Sequence, residues 1–175
     1  MAMVGLFWIA GGEVFVGAKP AGTAPGARLT AEGVIALGDA QSGVHPWEKV
    51  RSLTVTEVPV ASLTRRAGAV RDAVASTVVN LVLPMGPGHV EQAPARMTVR
   101  VGVADAEYAL AVHVAAANGY SRTETSLSHT LLTRLTEDAG TAATTLATMA
   151  EWGRAQRTGS PRKTERERLL REWLG

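Results

Sequence analysis

Four histidines, His45, His89, His113 and His129, are the side chains best suited to move protons or ligate a metal near neutral pH. Their spacing does not gather them. No HExxH or other short metal spacing occurs, and the chain has no cysteine. That removes disulfides, thiolate zinc sites and cysteine nucleophiles together. His45 precedes Pro46, His89 sits in a loop-like stretch, His113 falls on the polar face of a strand and His129 falls off a leucine stripe. Surface or hydrogen-bonded histidines are the expectation at all four. No G-x-S-x-G elbow is present. The nearest phosphate-loop lookalike, Gly12 to Lys19, fails because Ala18 intrudes before the lysine and Pro20 replaces the hydroxyl residue. Acids in the strand-rich half stand singly and mostly at turns, as Asp39, Asp105 and Glu107 do. The sequence therefore supplies no catalytic, cofactor-binding or metal constellation; an enzyme would need acids and histidines from distant segments in one pocket.

Charge offers a second kind of chemistry, contact with an anionic partner. Net charge is only +2, and the pI of about 9.4 reflects how little titrates between His and Lys. The base is local. Seven cations, Arg154, Arg157, Arg162, Lys163, Arg166, Arg168 and Arg171, face only Glu165 and Glu167 in the same span. A solvated, partly ion-paired helix is the ordinary reading of such a run, and an anionic partner the sharper one. Arg65, Arg66 and Arg71 form a second basic face, with a solvated face or an anionic lipid or protein patch as the readings.

The elements that position these residues follow from periodicity. Of the 175 residues 46% are hydrophobic, mostly Ala and Val, and only 5% aromatic, enough for one domain with an appendage. Met1–Ala10 is apolar but lacks a basic leader, and Ala67–Leu83 is too short and polar to span a bilayer, so a cytoplasmic protein is expected. Glu13–Ala18 reads as a strand, and Arg28–Thr30 with Gly33–Leu37 as a hairpin whose Gly33 supplies positive φ. Lys49–Val60 reads as one long strand with a bend between Val55 and Val58. Residues 62–83 carry an apolar stripe at 63, 67, 70, 74, 78 and 81, a helix whose 77–83 half could also be a strand. Prolines and glycines make 84–95 a loop. Met97–Val103 and Tyr108–Val114 alternate cleanly as a hairpin with one buried face.

Ser121 to Glu124 forms an S-x-x-E capping box opening a helix with Leu127, Leu131, Leu132 and Leu135 on one side. Two further helices follow, Thr141–Gln156 and Pro161–Leu174, the latter capped by Ser160. Trp47 reads as half-buried core or as an exposed anchor; Trp152 and Trp173 either pack together or await a partner.

The segment Arg28-Leu29-Thr30-x-x-Gly33-Val34, then Pro46-Trp47-x-x-Val50 before a β-rich strand, resembles the bacterial pleckstrin-homology-like (PH-like) domains. The resemblance covers about residues 13–137. It implies an α+β fold, an antiparallel, partly open barrel capped by the Ser121–Glu137 helix. On that scheme residues 1–137 form the β-rich domain, with an inserted helix at about 62–83, and 138–175 a helical extension. It also implies a non-enzymatic binding or scaffold module for a protein or peptide. The contact residues would be Arg65, Arg66 and Arg71 on the inserted helix and Arg162, Lys163 and Arg166 on the last. Nucleic-acid binding by Arg154–Arg171 is the alternative, weakened because no aromatics are interleaved for base stacking.

Overall fold

Short β-branched and aromatic runs, separated by glycine turns, build an antiparallel meander from the first residues onward. The computed structural model describes residues 1–61, 95–156 and 159–175. Strands β1 (Ala2–Val4), β2 (Phe7–Ala10), β3 (Glu13–Val16), β4 (Gly26–Leu29), β5 (Gly33–Leu37) and β6 (Gly43–Pro46) pair in chain order as one six-stranded sheet. A second sheet orders β7 (Ser52–Thr56), β8 (Arg96–Val103) and β9 (Ala106–His113), also antiparallel. Helices α1 (Arg122–Leu135), α2 (Ala139–Ala155) and α3 (Lys163–Leu174) make this an α+β fold, and among the described residues the sheets do not close into a barrel. The expected inserted helix, with Arg65, Arg66 and Arg71, lies outside the described residues.

Register explains the core. Ile9, Val14, Leu29 and Val34 are cross-strand neighbours on β2 to β5, and Phe7, Val16, Ala27 and Ala36 form the next row. All eight are buried in one cluster with Leu53, Val55, Val99, Val101 and Val112 of the second sheet. Side chains on alternate positions point the other way, so Trp8, Phe15, Arg28, Ile35 and Val44 share the outer face. There Phe15 is covered in part by Lys19, whose Nζ lies 5.5 Å from the ring centroid.

The helices belong to the same core rather than being lightly attached. Leu131, Leu132, Leu135, Met149, Leu170 and Trp173 join the cluster, and Trp152 meets Trp173 edge-on with centroids 5.8 Å apart. The capping box at α1 is complete: Ser121 Oγ accepts from the Glu124 N–H, and a Glu124 carboxylate oxygen accepts from the Ser121 N–H. Trp47 is buried, donating its indole N–H to the Thr30 carbonyl.

Several expectations need correction. The long strand Lys49–Val60 is a turn followed by the shorter β7, which ends where Glu57 adopts φ 60°. Gly33 does not supply positive φ. It lies in β5, where a Cβ would collide with the His45 carbonyl oxygen, so strand proximity demands the glycine. Ser160 does not cap α3; Arg162 occupies the N-cap with no side-chain bond, and Ser160 Oγ accepts from Met3 N–H instead. Tyr108 shares the face of Leu110 and Val112, opposite Val101, yet is 45% exposed.

Ser160 illustrates how sheet edges are covered. On the β7 edge, His129 Nε2 bonds the Val55 carbonyl at 3.0 Å. On the β9 edge, Gln41 imitates a strand: its amide accepts from Ala111 N–H at 2.7 Å and donates to the Ala111 carbonyl at 3.0 Å. The same amide also reaches the Gly26 carbonyl on β4, tying the two sheets. Replacing Gln41 with Ala strands these part-buried groups and is expected to cost about 1–3 kcal/mol. A lower urea midpoint at unchanged slope checks it; an unchanged midpoint would show that water replaces the amide freely.

Candidate functional site

A broad concavity among the described residues follows from the two-sidedness of α1. Its inner side buries Glu124, Ser128, Leu131, Leu132 and Leu135. Its outer side carries Arg122, Thr125, Ser126, His129, Thr130, Thr133 and Arg134 at helical spacing, continuing to Glu137. Val60 and Leu174 add the walls, enclosing a groove of about 820 Å³. Val60 is placed by a bridge to Tyr120, just before the α1 cap. Leu174 is placed by Arg134, whose Nη1 donates to its carbonyl.

The groove's chemistry is that of a surface to be covered. Thr125, Thr130 and Thr133 donate their hydroxyls to the carbonyls of Ser121, Ser126 and His129, one turn back, at 3.0–3.1 Å. They are thereby satisfied within the helix. Because His129 Nε2 faces a carbonyl, that nitrogen carries the proton and acts as donor. Its partner is main chain rather than a carboxylate. The groove thus offers small side chains in fixed rotamers, with Arg122 and Glu137 exposed near its ends.

The C-terminal residues expected to meet a partner are placed unevenly. Arg162 and Lys163 are exposed, and Lys163 Nζ lies 3.7 Å from Glu167. Arg166, also expected at a partner contact, turns inward. Its Nε pairs with Glu124, which is 1% exposed, and its Nη1 donates to the Pro161 carbonyl at 2.9 Å. Arg168 is bracketed by Glu165 and Glu172 at 2.6 and 2.9 Å, and Arg171 lies 3.8 Å from Glu167. Glu172, one residue beyond the basic run, and Glu124, over forty residues away, supply the balance.

Burial alone pulls the Glu124 carboxyl upward. Hydrogen bonds from Arg166 and Ser121, with the Arg166 charge, outweigh it and leave Glu124 below its ordinary value of 4.5. Elsewhere, burial lowers His45, whose ring lies 4.5 Å from that of Tyr108. His113 Nδ1 is buried without a partner among the described residues, and His89 lies outside them. Among the described residues no three His, Asp or Glu side chains are gathered as a metal site, and no helix is long and apolar enough to cross a membrane.

Sequence reasoning passes over the groove because it treats the polar side of α1 only as the complement of the leucine stripe. The signal is the hydroxyl series at 125, 126, 130 and 133; the walls come from distant segments. Compared with known proteins, the chain matches no family model, no curated protein and no solved structure.

Proposed function

We propose that this protein is a non-enzymatic docking module for a polypeptide, using the outer side of α1 as its contact surface. The observation that carries this reading is the groove's shape and lining. From Arg122 to Leu135 it follows a helix for about 20 Å, at 1.5 Å per residue, and runs on to Glu137. That length suits a segment of polypeptide better than a compact metabolite. Three lining side chains, Thr125, Thr130 and Thr133, are short, internally satisfied hydroxyls that lose little freedom when covered, and Arg122 is available to a carboxylate on the partner. A PH-like, partly open pair of sheets with α1 as its capping helix is the architecture this reading favours, supported by the antiparallel sheets and by α1 following the second sheet in the chain.

The nucleic-acid alternative depends on free positive surface at the C-terminus. Most of that charge is spoken for, since Lys163, Arg166, Arg168 and Arg171 all have acidic neighbours. Phosphate binding there would need to displace these contacts. A membrane surface rich in anionic lipid meets the same obstacle on α3.

A photo-crosslinking residue at Thr130 tests the docking reading. It is expected to form one defined polypeptide adduct in cell extract, lost when Arg122→Glu and Thr133→Trp are introduced together. The same probe at exposed Thr148 on α2 should not form it. Adducts equal at both sites, or unaffected by the groove substitutions, would overturn the assignment. Retention on DNA that falls steeply with salt would favour the alternative instead.

A further inference from the structure

Of the four outer sheet edges among the described residues, three are covered by specific side chains: Ser160 on β1, His129 on β7 and Gln41 on β9. The edge of β6 has no such cover among the described residues. Its register shows what it presents. Trp47 N–H donates to the Glu32 carbonyl, and the β5–β6 pairing continues this alternation, so His45 and Gly43 direct their backbone groups at β5. Val44 therefore turns its N–H and C=O outward, while Pro46, the next outward residue, has no N–H to offer and ends the ladder. Exposure concentrates here too. The large hydrophobic side chains most exposed among the described residues are Met1, Val44 at 57% and Tyr108 at 45%, and the Tyr108 ring lies tilted against that of His45 on this strand.

We propose that β6 is a self-association edge, where a second copy of this chain pairs antiparallel about a two-fold axis through Val44. The occupant follows from self-complementarity. With Val44 opposite Val44 of the other copy, the two residues exchange both backbone hydrogen bonds, and each His45 faces a Gly43. The glycine leaves space for the His45–Tyr108 ring pair, and a Cβ built on Gly43 meets no atom within 4 Å. On the outer face the row Ile35–Val44 continues into the other copy's Val44 and Ile35, so the apolar surface becomes continuous across the joint. Pro46 keeps the ladder short and closed at the axis, so a reversible dimer forms rather than a growing sheet. This surface is separate from the α1 groove, and neither proposal depends on the other.

The absence of cysteine permits a clean test with Val44→Cys in the full chain. In a hydrogen-bonded antiparallel pair the facing Cα atoms stand about 5.5 Å apart, within the range a disulfide spans. Mild oxidation is expected to give a covalent dimer about tenfold or more faster than Thr148→Cys on α2, because pairing raises the effective thiol concentration. Sedimentation of the unmodified chain should show a concentration-dependent dimer. Val44→Lys, setting like charges against each other at the axis, should leave it monomeric with an unchanged circular dichroism spectrum. The proposal is overturned by monomeric mass at every concentration, as expected if β6 instead receives a strand of another protein. Equal oxidation rates for the two cysteine variants, or a dimer indifferent to Val44→Lys, would also overturn it.

Discussion

Replacing Arg166 with Met is expected to lower stability by about 3–5 kcal/mol, the cost of removing one partner from a buried ion pair. The substitution leaves the Glu124 side chain, 2% exposed, without its guanidinium. For a domain of this length the melting temperature should fall by about 6–20 °C. Changing both partners, Arg166→Met with Glu124→Gln, should cost less than Arg166→Met alone, because the uncompensated charge is gone. The pair joins the first turn of α1 to the second turn of α3 across 42 positions of sequence, so α3 is expected to loosen first.

The sign of the pH dependence is a sharper check. In the intact chain Glu124 titrates below its ordinary value of 4.5. Its contribution is therefore fully present above that value and is lost as pH falls through the depressed one. In Arg166→Met the same carboxyl is buried without its main cation and moves upward. The penalty is then greatest at neutral pH and is relieved by protonation, so the stability gap between the two proteins should narrow on acidification. A gap below about 1 kcal/mol at pH 7, in the range of exposed ion pairs, would show that the bridge is not a structural tie.

That bridge also shows where sequence reading stops. The Met97–Val103 hairpin strand, the Ser121–Glu124 capping box and the leucines at 131, 132 and 135 are legible because each signal lies within a few residues of its consequence. Arg166 belongs to a basic run by its neighbours in sequence; its orientation is decided by a buried carboxylate on another helix. Ser160 has the position of an N-cap because Pro161 follows it, but the β1 edge competes for its hydroxyl and wins. Gln41 carries no local signal of standing in for a strand. Tyr108 has the parity of a buried residue, yet alternation cannot say where along β9 the facing sheet ends. The helical side of the candidate groove is written in the polar spacing of α1. Its walls, Val60 and Leu174, depend on tertiary contacts that no periodicity encodes.

Gly5→Ala should be as damaging as loss of Arg166, for a reason confined to one atom. Gly5 turns the chain between β1 and β2 at φ 56°, a conformation costing an L-residue about 1–2 kcal/mol. A Cβ there would collide with Ser128 Oγ and lie 2.9 Å from a Leu170 methyl carbon. Neither neighbour can yield freely. Ser128 is fully buried and accepts the Leu6 N–H at 3.1 Å, and Leu170 is fully buried in the core. Moving the hydroxyl strands that N–H at about 1–3 kcal/mol, and moving the leucine adds an overpacking cost of about 1–3 kcal/mol. Gly22 provides the matching control, since its φ is 55° and a Cβ added there would meet nothing within 4 Å. Gly22→Ala should thus show the backbone cost alone, and Gly5→Ala should exceed it by about 2 kcal/mol or more in denaturant unfolding. Equal losses would mean that the β1–β2 turn can back away from α1 and α3, and that their junction is looser than its contacts imply.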